Sequence, residues 1–116
     1  MNPDKIKEWG VYLALYPNDN PSELYDSKPA SVVVFKKETD SFITVIRITD
    51  LDNISDANLQ KGIQIYDNTE EYLKMGLRKD SFINIKDYKT ISYRNFIQYF
   101  GKCPNEIIAK IKELIV

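Results

Sequence analysis

Histidine is absent from the 116-residue chain, and cysteine occurs once. The first absence removes Ser-His-Asp triads, Cys-His dyads, paired-histidine ribonuclease chemistry and histidine-ligated zinc. Acid–base work falls to Lys, Arg, Asp, Glu, Tyr or a hydroxyl. The lone Cys103 leaves no intramolecular disulfide and no cysteine-based zinc site, which fits a reducing cytosol. Apolar runs are short, and none approaches the roughly 20 residues that cross a bilayer. The opening MNPDKIKEWG lacks the apolar core of a secretory signal. A cytoplasmic protein without membrane contact is therefore expected. Four glycines and five prolines are too few for a collagen-like or linker-like chain. Net charge is also lacking, at −1. A polyanion would have to be met by a local patch rather than by the overall field. Neither a Walker A motif nor GxGxxG occurs, so nothing supports nucleotide binding through a glycine loop. The acidic run DLDN with Asp56 lacks the turn glycine and closing Glu of a calcium loop. No metal and no cofactor are expected.

What is present reads as one soluble domain spanning 1–116. Hydrophobic residues make up 43% and charged residues 28%, enough for a single modest core. WGVYLALY (9–16) alternates like a strand, with Val11, Leu13 and Leu15 on one face and Tyr12, Ala14 and Tyr16 on the other. PNDNPSELYDSKP (17–29) is a polar, proline-broken loop, long enough to be functional or else a disordered excursion. ASVVVFKK (30–37) and SFITVIRITD (41–50) are strong strands joined by a hairpin-length turn. Three consecutive valines predict a strand covered on both faces. In the second strand, Arg47 and Thr49 share one surface near its end.

LDNISDANLQ (51–60) reads as a polar loop with a short helical turn, and KGIQIYD (61–67) as a short strand. NTEEYLKMGL (68–77) suits a helical turn capped by Asn68 and ended by Gly76. A strand follows from about Asp80 to Ile85, then a polar break, then a short strand around YKTIS. CPNEIIAKIKELIV (103–116) is a helix: Pro104 fits its first turn, and Ile107, Ile108, Ile111, Leu114 and Ile115 recur at helical spacing. The sum is a mainly β, α+β fold: a small, strongly bent antiparallel sheet or open barrel with a C-terminal helix.

Several polar residues stand near strand ends. Lys28 precedes one strand and is held extended by Pro29. Thr49 ends the next, and Lys79 and Ser81 open another. Cations and hydroxyl donors brought together suit a phosphate, because they stabilise charge building on a pentavalent phosphorus. Solvated strand ends are the other reading, and spacing alone leaves both open.

The order of segments resembles the MazF/PemK family of toxin endoribonucleases. The likeness runs through WGVYLALYP (9–17), KPASVVV (28–34), TVIRITD (44–50), GLRKDSFINIKDYKTIS (76–92) and GKCPNEIIAKIKELI (101–115). The fourth, with its Gly-Leu-x-x-x-Ser start and later Thr-Ile, is the most specific. The resemblance implies an SH3-like barrel, a homodimer and metal-independent cleavage of single-stranded RNA, in which a 2′-hydroxyl attacks its own phosphate. It also implies a cognate antitoxin peptide that silences the enzyme. By the same resemblance Lys28 and Thr49 are the catalytic positions, and Arg47, Arg78, Lys79 and Ser81 belong to the RNA surface. Lys28 stands where the family has Arg, exchanging a bidentate fork for a point charge on a flexible stem. An alternative is therefore a non-catalytic relative that binds a partner peptide or RNA. A poison of gyrase, as in the CcdB branch of the same fold, ranks last because the chain ends ELIV rather than in that branch's Trp-Gly-Ile.

Overall fold

The computed structural model describes residues 1–17 and 27–115. Of the long loop expected over 17–29, residues 18–26 lie outside the described residues, while Lys28 and Pro29 already belong to a strand, paired with Tyr16 and Leu15. Six strands and two helices follow in order: β1 (Gly10–Tyr16), β2 (Lys28–Lys37), β3 (Phe42–Asp50), β4 (Ile63–Ile65), α1 (Glu70–Lys74), β5 (Ser81–Ser92), β6 (Phe96–Lys102) and α2 (Asn105–Ile115). Short 3-10 turns fill Leu51–Asn53 and Asp56–Lys61, where a polar loop with a helical turn is expected.

The strands form one open antiparallel sheet in the order β4-β5-β3-β2-β1-β6. Its pleat separates two cores. Val32 and Val34 face one side with Tyr12, Ala14, Tyr16, Ile43 and Val45. Val33 faces the other with Val11, Ile46, Ile48 and Ile83, beneath Ile107 and Ile111 of α2. The valine triplet is therefore buried on both faces, as its lack of alternation predicts. Leu114 departs from its expected place in the helical stripe: it is 44% exposed, because Ile107 and Ile111 already cover the sheet.

Two local expectations change. The cap of α1 is Thr69, whose hydroxyl accepts from the Tyr72 amide at 3.3 Å, one residue later than the expected Asn68. Gly76 does end the turn, at φ 68°, where a Cβ would run into the Phe100 carbonyl. The strand β6 has no counterpart among the strands read from the sequence. Its FIQYFGK leaves Ile97, Gln98 and Tyr99 exposed at a sheet edge, so no buried alternation marks it.

The expected polar break in 80–92 is a break in pairing within one strand. Pairs run Ile46↔Tyr88 and then Ile48↔Ile83, so the single residue Arg47 of β3 faces the four residues 84–87 of β5. Meanwhile β4 pairs only with Ser81, Phe82 and Ile83. Extra residues on one strand bend it and re-aim its side chains. Here that bend lies beside the polar end of β3.

Candidate functional site

Four structural features meet where β2 begins and β3 ends. They are the start of β2 (Pro29, Ala30, Ser31), the end of β3 (Arg47 to Asp50), Leu13 of β1, and the bent part of β5 (Asn84, Asp87). Together they line an open groove of about 510 Å³. A second depression of about 350 Å³ adjoins it through Leu13, Ser31 and Asp50, and is lined further by Gly76, Arg78, Lys79 and Ser81. Five of the six site residues read from the sequence thus border one continuous surface. Lys28 is the exception. It lies next to Pro29 at the groove's rim, exposed, and lines neither depression.

Arg47 is held by its neighbours. Its guanidinium lies 5.5 Å from the centre of the Tyr16 ring, a cation–π contact. Its Nη1 is 3.6 Å from Asp87 Oδ2. Asp87 is in turn fixed by the Tyr16 hydroxyl, which donates to Oδ1 at 2.6 Å. Lys89 covers the same ring at 5.0 Å and donates to the Pro17 carbonyl at 2.9 Å. These contacts orient the guanidinium, yet two polar atoms beside them stay unpaired. Arg47 Nε and Thr49 Oγ1 are both buried, and neither has a hydrogen-bond partner among the described residues. Buried polar groups are almost always paired, and each orphan costs about 1–3 kcal/mol. The two orphans lie two residues apart on one strand, behind the wall of the groove.

The other groups contribute less. Lys79 Nζ is 3.7 Å from Asp50 Oδ2, with both side chains largely in solvent, a pair worth little by itself. Ser81 is buried, and its hydroxyl donates to the Lys79 carbonyl at 2.7 Å. Its one proton is spent on the backbone, so it shapes the turn and offers an anion no donor. Arg78 is exposed beside it.

A depression of about 480 Å³ on another side is walled by Tyr12 and Tyr99 and rimmed by Lys5, Lys7 and Lys102. Its buried hydroxyl is satisfied: Tyr12 donates to the Lys5 carbonyl at 3.1 Å and accepts from the Lys7 amide at 2.9 Å. The orphaned atoms therefore single out the strand-end groove. Among the described residues, no group of three or more acidic or thiol side chains is placed to hold a metal, and no helix is long and apolar enough to cross a membrane.

Sequence reading missed Tyr16, Asn84, Asp87 and Lys89. Asp87 sits in the polar break, where no periodicity distinguishes a site residue from a solvated one. Tyr16 reads as ordinary strand filling. Only the pairing register brings them to Arg47.

Fold and groove together define a small, mainly β domain with a polar strand-end cleft. No family model matches the chain, and neither does any curated protein sequence. Among solved structures it is similar to Mycobacterium tuberculosis toxin MazF-mt6, with a TM-score of 0.65 and 16% identity over 91% of each chain. It is also similar to an endoribonuclease in complex with its cognate antitoxin from Mycobacterial species. There the TM-score is 0.66 and the identity 10%, over 95% of this chain and 90% of the other. The chain has a MazF-like fold.

Proposed function

We propose that this chain is a MazF-type toxin endoribonuclease that cuts single-stranded RNA at short sequences without a metal. The observation that carries the reading is the pair of orphaned atoms, Arg47 Nε and Thr49 Oγ1, in the strand-end groove of a MazF-like fold. A phosphodiester supplies the missing acceptors. In the reaction, the O2′–P bond forms as the 2′-hydroxyl loses its proton, and the P–O5′ bond breaks as O5′ takes one. The products are a cyclic phosphate and a free 5′-hydroxyl, with no net proton released. Thr49 donates to a phosphoryl oxygen. Lys28, exposed beside groove-lining Pro29, supplies an ammonium for O5′. Arg78 and Lys79 carry the flanking backbone across the adjoining depression as solvated charges.

In the same reading the protein acts in the cytoplasm as a homodimer, and an antitoxin peptide silences it by occupying the groove. One structural neighbour is itself an endoribonuclease in complex with its cognate antitoxin. The test is incubation of purified protein with a long single-stranded RNA in EDTA. Discrete fragments with 5′-hydroxyl ends are expected. Intact RNA from both the natural chain and Lys28→Arg would refute the nuclease.

A second reading is a binding module that grips RNA or a peptide without cutting. It is favoured by Lys28, which replaces an Arg and lies outside the groove lining. Restoration of cleavage by Lys28→Arg in an otherwise inert chain would select it.

A further inference from the structure

We propose that Arg47 is the residue that grips the phosphodiester, with Asp87 and Tyr16 as its positioning residues. The inference deepens the nuclease reading and rests on it only for the reaction, not for the grip. Arg47 and Thr49 alternate on β3, so their Cα atoms lie about 6.7 Å apart on one face. Both side chains line the same groove, so one phosphate there would meet both. The guanidinium presents two edges. Nη1 is taken by Asp87, and Tyr16 covers the flat face. The edge bearing Nε is left, and that Nε has no partner among the described residues. The side chain as a whole is 43% exposed on the groove, and a guanidinium fork can hold two oxygens of one phosphate, which an ammonium cannot do.

The position of Asp87 explains why a carboxylate borders an anion site. It lines the groove, but its two oxygens are engaged by Tyr16 and Arg47, so its charge is offset by the guanidinium it holds. The pairing break is what makes this possible. Four β5 residues facing Arg47 alone swing Asp87 towards it, where continuous pairing would carry a different residue past. Lys28, at the rim with no fork, is left to the proton-donating role, and Arg47 carries the charge on phosphorus.

The test is nitrogen-15 NMR of the arginine Nε–H signals in the full chain, titrated with a 2′-deoxy-substituted RNA that cannot be cut. The Arg47 signal is assigned by its loss in Arg47→Lys. It should shift and saturate with RNA. Arg47→Lys, which keeps the charge, should weaken binding about 10- to 100-fold, the scale of hydrogen bonds to a charged group. Lys110→Ala, which removes one exposed charge on α2, should change it less than about threefold. Asp87→Asn should weaken binding about tenfold and broaden the Arg47 signal while the urea midpoint stays put, which a merely structural role would not produce. An Arg47 Nε–H unmoved at saturation overturns the inference. So does an Arg47→Lys chain that cuts cleavable RNA as well as the natural one, although the nuclease then stands. A shifted Arg47 signal with RNA left intact by the natural chain upholds the grip and refutes the nuclease. No RNA binding at all refutes both.

Discussion

Replacing Thr49 by valine should make the protein more stable and less active at once. Thr49 Oγ1 is buried with no partner among the described residues, and its residue is paired with Phe82 across β5. Valine keeps the branched Cβ, so the rotamer and the strand preference survive. Only the hydroxyl is exchanged for a methyl. Removing an unsatisfied buried hydroxyl recovers part of a penalty of about 1–3 kcal/mol, and the added apolar group contributes up to about 0.8 kcal/mol. The groove wall is open on one side, so a net gain of about 1 kcal/mol is expected. That corresponds to a rise of roughly 4 °C in Tm for a domain of this size, or about 0.5 M in the urea midpoint. RNA cleavage should fall about 100-fold, as when one donor to a developing oxyanion is removed. Urea unfolding followed by circular dichroism, run beside a fragment assay, reads both. A loss of 1 kcal/mol or more would mean the hydroxyl is bonded in the native state. A gain in stability with full cleavage would mean that the orphan serves no ligand. Either result removes the basis for placing a phosphate there.

Three further expectations concern the frame around the groove. Gly76→Ala should cost at least about 2 kcal/mol in urea unfolding, because φ is 68° and the new Cβ meets the Phe100 carbonyl. The same change should loosen the depression that holds Arg78 and Lys79. Ile111→Ala should cost about 2–4 kcal/mol, since Ile111 is fully buried between α2 and the sheet and its loss leaves a cavity. Burial pushes the Cys103 thiol up to about 12. An unfolded thiol ionises near pH 8.5, so between about pH 9 and 12 the unfolded state has lost a proton that the native state keeps. Stability from this group is therefore present below pH 8.5 and falls across that window by up to about 1.4 kcal/mol per pH unit. The fall should be missing in Cys103→Ala, measured as the difference between the two urea midpoints. Iodoacetamide at pH 8 should label the thiol only in the unfolded chain.

The strands with a strong pattern were legible because burial imposes it. VVV at 32–34 has no polar face and proves to be covered on both sides. FITVIRITD alternates, and its two faces go to two cores, with Arg47 and Thr49 together at its end. β6 was not legible because an edge strand with solvent on one side carries no such constraint. Its course is set by pairing with β1, and the sequence of FIQYFGK contains no record of that partner. The cap of α1 slipped by one residue for a related reason. Asn68 and Thr69 are both good caps, and the choice depends on how the chain leaves β4.

The candidate site divides along the same line. Residue types at strand ends can be read in order, so Arg47, Thr49, Arg78, Lys79 and Ser81 stand out in the sequence itself. What they do depends on partners that only the register supplies. Ser81, expected as a backbone or phosphate contact, makes the backbone one, with the Lys79 carbonyl. Arg47 is expected on the RNA surface from the sequence, but only the register shows Asp87 beside its guanidinium and Tyr16 against its face. A sequence records which groups are available. Pairing decides which of them already have a partner, and the unpaired ones define the chemistry. The four-against-one mismatch between β3 and β5 serves two ends: Ile85 enters the core beneath α2, and Asp87 is brought to Arg47. The bend brings Asp87 to Arg47, whose side chain stays 43% exposed on the groove, so a ligand there meets a guanidinium already held in place. Deleting residues 84–87 should therefore weaken RNA binding through the loss of Asp87 and also lower the urea midpoint through the loss of buried Ile85, whereas Asp87→Asn should weaken binding alone.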